Sequence, residues 1–111
     1  MQNDIFMFLS MTMSAEHAVL VGKALGDPSR LRILAILEHH ELTVSELVMV
    51  LGQSQPRVSR HLKLLQDAGL LRRKAEGRAA YYRLDRGCDA ATVVRTVLDA
   101  LDTADPEIAA D

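Results

Sequence analysis

Four polar side chains shortly after Ser54 have the types and the spacing that reading a DNA duplex requires. Arg57 and Arg60 can each donate paired hydrogen bonds to guanine, and Gln55 can pair with adenine. Ser59 can donate a hydrogen bond or accept one, so it suits either kind of base. We therefore predict that these four residues lie near base edges in a major groove.

A second group of residues has the chemistry of phosphate contacts. Free N–H groups and the helix dipole favour anions at the start of a helix, where Ser54 lies. His61 and Lys63 follow on the same helix, although a structural hydrogen bond inside the motif is an equal alternative for His61. A basic segment further along should add salt-dependent contacts to the DNA backbone or minor groove. Its members are Arg72, Arg73, Lys74 and Arg78.

The distribution of charge along the chain favours the same interpretation, although the whole chain has a net charge of −2. Between Gln53 and Arg86 there are nine Lys and Arg residues against three acidic residues, a net charge of +6. The rest of the chain therefore carries −8. One basic surface on an otherwise acidic chain is typical of a protein that meets phosphates with one face.

Two short helices and a tight turn must position the groove-facing residues. Thr43-Val44-Ser45-Glu46 is a capping box, which starts a helix by satisfying its free N–H groups. That helix should end at Gly52, and Ser54 caps the next helix. A three-residue turn between two capped helices is the helix-turn-helix signature, so we assign DNA binding to Thr43–Ala68. The side chains expected to hold the two helices together are Val44, Leu47, Val58, Leu62 and Leu65.

The remaining elements complete a winged helix-turn-helix. Apolar periodicity predicts a first helix that ends at Gly26 and a central, buried helix from Ser29 to Glu38. Two short strands, Leu70 to Lys74 and Ala80 to Leu84, are expected to form a hairpin, the wing. A last helix carries an apolar stripe from Ala90 to Leu101. The predicted fold class is mainly α with a small β-hairpin, in the order α-α-α-α-β-β-α.

Length and composition fit one domain. We expect a disordered extension over residues 1–13, the DNA-binding and dimerisation domain over 14–103, and an acidic tail over 104–111. An extra helical turn that packs on a partner subunit is the alternative for the extension. The apolar run from Ile5 to Met13 is too short to span a membrane. Cys88 is the only cysteine and has no partner for an internal disulfide, which fits a reducing cytosol. We therefore expect a cytoplasmic protein with no membrane contact.

Several motifs, in this order, resemble the ArsR/SmtB family of bacterial winged-helix repressors. They are LGDPSRLRIL at 25–34, ELTVSEL at 41–47, QSQPRVSRHLKLL at 53–65, and Gly77-Arg78 followed by YYRL at 81–84. The resemblance covers roughly residues 15–102. It implies a homodimer on an imperfect palindrome of double-stranded DNA, with repression relieved by a small-molecule inducer. The first and last helices would form the interface through Ala18, Val21, Leu25, Ala90, Val94, Val97, Leu98 and Leu101.

The metal-sensing positions of that family lack their ligands here. Thr43 stands where a thiolate site would place a cysteine, and the last helix holds no histidine. His17 and Cys88 are single candidates, and His39-His40 better suits the end of a helix. We therefore predict no metal site and no cofactor. We expect Cys88 to be a small, buried or half-buried residue. The start of a helix can lower the pKa of a thiol, but redox sensing by Cys88 would need a disulfide between subunits.

Two other functions remain open from the sequence. One is a winged helix whose recognition surface meets another protein, although the +6 window disfavours it. The other is the regulatory domain of a methyltransferase system, because the segment 52–62 also resembles the DNA-binding part of methyltransferase-associated members. No nucleophile–base pair, metal cluster or phosphate-binding loop is visible in the sequence, so we do not expect an enzyme.

Overall fold

The computed structural model describes the backbone of residues 13–104 and the side chains of residues 13–101. Five helices and three short strands lie in this range, and every helix and strand predicted from the sequence is present. Within residues 13–104, no helix is long and apolar enough to cross a membrane. The elements are α1 (Ala15–Leu25), α2 (Pro28–His39), β1 (Leu42–Thr43), α3 (Val44–Leu51), α4 (Gln55–Asp67), β2 (Leu71–Glu76), β3 (Ala79–Leu84) and α5 (Ala91–Ala104).

Polar side chains start the helices where the sequence predicts them. The capping box before α3 is complete: Thr43 Oγ1 accepts from the Glu46 N–H at 3.2 Å, and Glu46 Oε1 accepts from the Thr43 N–H at 2.9 Å. Asp27 caps α2, with proline in its first turn. Ser54 caps α4 by accepting from the Arg57 N–H at 3.4 Å. The Ser54 cap lies at the end of the three-residue turn between α3 and α4 and so fixes where α4 begins.

The sheet has one strand more than the sequence predicts. The strand β1 pairs antiparallel with β3, opposite Tyr81 and Tyr82, and gives the order β1-β3-β2. Its two residues are too few to show an alternating pattern, and its hydrogen bonds depend on a partner about 40 residues away in the chain. The hairpin is also longer than expected, because β2 and β3 pair from Leu71 with Leu84 to Glu76 with Ala79.

The core is built from aliphatic side chains that lie between α2 and the elements packed around it. Ile33, Leu34 and Leu37 of α2 are almost completely buried, as the prediction of a central buried helix requires. Met13, which the sequence analysis places in the extension, packs against this core. Helix α5 continues to Ala104, one residue into the predicted tail. The rest of the extension and of the tail lies outside the described residues.

The prediction for the dimer interface needs correction at four positions. Val21, Ala90, Val94 and Leu98 are at most 4% exposed and lie in the core of the protomer itself. An apolar stripe shows only that a helix face is buried, and it does not distinguish the protomer's own core from a subunit interface. The other four predicted residues, which are Ala18, Leu25, Val97 and Leu101, are exposed or half-buried. Within the same two helices, Val19, Leu20 and Val93 are also exposed apolar residues, although they are not among the eight predicted interface residues.

Gly52 ends α3 in a left-handed conformation, with φ of 66°, and a Cβ added there would meet no atom within 4 Å. The cost of a side chain is therefore purely conformational, and we expect Gly52→Ala to lower the free energy of unfolding by about 1 kcal/mol. Gly87→Ala is the matched control, since φ at Gly87 is not positive and its Cβ would make an ordinary 3.6 Å contact. Urea titrations at one chain concentration measure both, and equal losses would contradict the expectation.

Candidate nucleic-acid interface

Helix α4 buries one face and presents polar and basic groups on the others. Val58, Leu62 and Leu65 are at most 2% exposed and anchor the helix to the core. This anchoring leaves the opposite faces free for a ligand, as a recognition helix requires. The predicted site residues that the structure places at the exposed surface of this segment are Ser54, Gln55, Arg57, Ser59, Arg60 and Lys63.

The start of α4 has the electrostatics of an anion site. Ser54 caps the helix and Pro56 lies in its first turn, so the positive end of the helix dipole opens toward solvent beside Arg57. Further along, the Lys63 ammonium lies 3.3 Å from both carboxylate oxygens of Asp67. Such an exposed pair is weak, so a phosphate can compete with Asp67 for the lysine.

His61 is turned inward, and the prediction that it lies at the phosphates is corrected. Its side chain is only 12% exposed, and its Nδ1 lies 3.1 Å from the guanidinium of Arg30. Since arginine can only donate, Nδ1 accepts this hydrogen bond and the imidazole is neutral. His61 lies three residues after Val58 and next to Leu62, which are both buried, so its side chain is on the inner side of α4. The structural alternative that the sequence left open for His61 is the one that the geometry favours.

Two side chains that the site prediction missed join α1 to α4. Arg30 donates from Nε to the Ala24 carbonyl at 2.9 Å and from its second terminal nitrogen to the Lys23 carbonyl at 2.8 Å. It thereby caps the end of α1 while holding His61 of α4. His17 of α1 has its Nε2 2.8 Å from the carbonyl of Ala68, which directly follows α4. The sequence signal that could have predicted the link through Arg30 is its position as a charged residue near the start of a mostly apolar helix.

The wing carries its predicted basic residues at the surface, all of them exposed. Glu41 and Arg83 complete an open cleft of about 420 Å³ beside three of them. Arg83 pairs in register with Arg72, so the position of β3 opposite β2 could have predicted its place in this cleft. Its Nε lies 4.0 Å from Glu41 Oε1, a contact between two half-exposed groups. The predicted wing residues are Arg72, Arg73, Lys74 and Arg78.

Cys88 has the half-buried environment expected for it. Cys88 lies in the turn before α5 and is half-buried, with its backbone carbonyl accepting from the Ala91 N–H at 3.0 Å. Burial raises the pKa of the Cys88 thiol, and the carboxylates of Asp85 and Asp89 raise it further against the effect of backbone hydrogen bonds. A lowering of this pKa by the start of the last helix, which the sequence left open, is therefore not favoured. Among residues 13–104, no three histidine, cysteine or acidic side chains converge as metal ligands do.

The buried state of His61 makes the stability of the fold depend on pH. Burial lowers the pKa of the imidazole below its ordinary value of 6.5; Asp27 opposes this shift, and Arg30 and two further arginines reinforce it. Below about pH 6.5 the unfolded chain takes up a proton that the folded imidazole resists. The free energy of unfolding therefore falls as the pH falls through this range, by about 1.4 kcal/mol for each unit by which the pKa is lowered.

We expect His61→Gln to remove this component of the pH dependence. Urea titrations at about pH 7.5 and about pH 5.5 should show a smaller loss of stability in this variant than in the native chain. His40→Gln is the matched control, because His40 is exposed and its replacement should leave the native difference unchanged. The same pH dependence in the native chain and in His61→Gln would show that His61 is not the group responsible.

Comparisons with known proteins agree with this architecture. Residues 27–73 match the family model described as "Bacterial regulatory protein, arsR family". The "Arsenical resistance operon repressor" of Escherichia coli is 48% identical over 63 residues, which are 56% of this chain and 54% of that protein. The "Transcriptional activator HlyU" of Vibrio cholerae is 33% identical over 91 residues, 82% of this chain and 80% of that protein.

The solved structures give the same result. A homodimeric winged helix-turn-helix DNA-binding domain from Mycobacterium bovis, described as a possible ArsR-family regulator, has a TM-score of 0.68 at 32% identity and covers 78% of this chain and 80% of its own. The chain spans about half the length of several curated relatives that it matches, so the activities of those proteins do not transfer directly. Since the match with HlyU extends over four fifths of both chains at 33% identity and the family model covers the helix-turn-helix, the chain belongs to the ArsR/SmtB family of bacterial winged-helix regulators.

Proposed function

We propose that the chain is a DNA-binding transcription factor that acts as a homodimer in the cytoplasm, represses a small operon and is released by an inducer. The observation that carries this proposal is the division of α4 into two faces. Its inner residues are at most 2% exposed, whereas every polar residue proposed to meet DNA, apart from the inward-turned His61, is exposed. A helix held so firmly can present its outer groups to a major groove with little loss of conformational entropy.

The residues proposed to bind DNA form two groups, one for base edges and one for the backbone or minor groove. Gln55, Arg57, Ser59 and Arg60 are proposed to contact base edges and so to determine sequence preference. Ser54, Lys63 and the four basic residues of the wing are proposed to contact phosphates or the minor groove. The first group should change which sequence is bound, and the second should change the dependence of affinity on salt.

Dimerisation is proposed to use the apolar surface that the protomer leaves exposed. Ala18 and Val19 are exposed on α1. Val93 is exposed on α5, and Val97, one turn further along α5, is half-buried. A two-fold axis through these helices would present two copies of α4 to successive major grooves, about 34 Å apart. An imperfect palindrome is the DNA sequence that such a dimer matches.

Repression is proposed from the Escherichia coli relative, which is named a repressor. HlyU is named an activator, so the sign of regulation can differ between relatives that match this chain. A dimer seated across two major grooves would block a promoter sterically, and this needs no surface beyond the one described. A reporter gene placed behind the bound sequence should therefore be silenced by the chain, and its activation would contradict repression.

Selection from a pool of random duplexes of about 30 base pairs tests DNA binding without knowledge of the target genes, since that length covers two half-sites one or two turns apart. The full chain should enrich an imperfect palindrome. The variant Gln55→Ala, which removes one proposed base contact and keeps the helix, should relax the preference at one position in each half-site. Recovery of random sequences after repeated rounds would contradict a sequence-specific function.

A further inference from the structure

A cavity of about 400 Å³ lies behind the helix-turn-helix. The corner between α1 and α2, the end of α3 and the last helix α5 enclose it. Its apolar wall consists of Leu25, Leu31, Leu51 and Leu101, and its polar wall includes Ser29 and Gln53. The volume falls within the range of sites for small organic molecules. Leucine side chains and polar groups share the wall, so it suits a molecule that has both an apolar and a polar part.

One polar group in this wall lacks a partner. Gln53 donates from Nε2 to Ser29 Oγ at 2.7 Å, which joins the turn before α4 to the start of α2. The other amide atom, Gln53 Oε1, is buried and accepts no hydrogen bond within the described part of the chain. A buried acceptor without a donor is unfavourable. A molecule in the cavity that supplies a donor would satisfy this oxygen.

The two charged residues that line the cavity have opposite signs. Asp27 and Arg32 both line the cavity, and their opposite charges leave it without net charge. Asp27 is also engaged, because its carboxylate accepts from the Arg30 N–H at 3.3 Å and lies 3.9 Å from the Arg30 guanidinium. A neutral ligand therefore fits the cavity better than an anion or a cation.

From these observations we infer that the cavity binds a neutral amphipathic organic molecule, with an apolar ring system and one hydroxyl or N–H donor directed to Gln53. This inference deepens the proposed function and rests on it only for the regulatory consequence. Gln53 lies in the turn that sets the orientation of α4, so occupancy of the cavity repositions the recognition helix. The cavity is then the site at which an inducer changes DNA affinity.

The binding step can be measured without DNA. The chain contains no tryptophan, so the fluorescence of 2-naphthol can be followed on a low protein background. Titration of the full chain should show saturable binding of one 2-naphthol per chain. Naphthalene, which has the same rings and no hydroxyl, should bind at least about tenfold more weakly, because it leaves Gln53 Oε1 without a donor.

Two variants test the position of the bound molecule. Ser29→Phe fills the cavity and should weaken 2-naphthol binding at least about tenfold, whereas Ser45→Phe, the same exchange at an exposed position of α3, should not. Gln53→Leu keeps the apolar wall and removes the acceptor, so it should bind 2-naphthol and naphthalene about equally. This second variant decides the question even if Ser29→Phe does not fold, which circular dichroism will show.

Three results would overturn the inference. The first is that 2-naphthol shows no saturable binding. The second is that Ser29→Phe and Gln53→Leu leave its binding unchanged. The third is that 2-naphthol binds only when dilution separates the subunits. The last of these would mean that a second copy of the chain covers the cavity.

The regulatory step is separate: 2-naphthol should change the DNA affinity of the native chain and of Ser45→Phe equally. If the chain binds 2-naphthol as expected but binds no specific DNA, the proposed function fails and the ligand site stands.

Discussion

Replacing Arg57 and Arg60 together by alanine reduces the affinity for the selected palindrome by at least about 100-fold. Each guanidinium is exposed on α4 and is proposed to contact a base edge, a contact worth about 1–3 kcal/mol. Alanine favours the helix and neither side chain lies in the core, so the fold should be unchanged. Fluorescence anisotropy with labelled duplex measures the affinity, and thermal unfolding verifies the fold.

The control for this experiment is Arg95→Ala, which removes the same side chain from an exposed position on α5. It should change affinity by less than about threefold, since it alters only the long-range field of the protein. If the double variant at Arg57 and Arg60 still binds its palindrome like the native chain, α4 does not read DNA. The interpretation of the fold as a protein-interaction module would then be favoured.

Glutamate at Val93 and at Val94, two adjacent positions of α5, should have different consequences. Val93 is 39% exposed on the apolar surface proposed for dimerisation, whereas Val94 is 0% exposed in the core of the protomer. Val93→Glu should give a folded monomer, because it places two charges against each other across a two-fold interface. Val94→Glu should instead unfold the protomer, since an unpaired buried carboxylate costs several kcal/mol.

Analytical ultracentrifugation and circular dichroism separate these outcomes. The native chain should sediment as a dimer, and Val93→Glu as a monomer with native helix content and DNA affinity at least about tenfold lower. Val94→Glu should lose its helix content. A dimeric Val93→Glu with full DNA affinity would show that this face of α5 is not the interface. A folded Val94→Glu monomer would contradict the placement of Val94 in the core.

Local signals made the DNA-binding part of the fold predictable. The capping box at Thr43–Glu46, the cap at Ser54 and the inner stripe of α4 act within one or two helical turns, so the sequence displays them directly. The sheet was less predictable, because β1 has two residues and exists only through its pairing with β3. Its hydrogen-bond partners are distant in the sequence, and a segment of two residues is too short for its residue pattern to predict a strand.

Contacts between helices account for the remaining differences. His61 is polar and lies next to basic residues in the sequence, and only its approach to Arg30 shows that it serves the interior. The stripe from Ala90 to Leu101 is apolar on two adjacent faces, of which one fills the core and the other remains exposed. Periodicity does not distinguish the two faces, so only the packing of α5 separates the residues of the protomer core from the exposed residues proposed for the subunit interface.

The central claim is that this chain recognises a particular DNA sequence. It is tested most directly by competition anisotropy between the selected palindrome and a scrambled duplex of the same composition, at about 0.15 M salt, where exposed charges are screened as in the cell. The account predicts that the palindrome binds at least about 1,000-fold more tightly. Equal affinities for the two duplexes would contradict it.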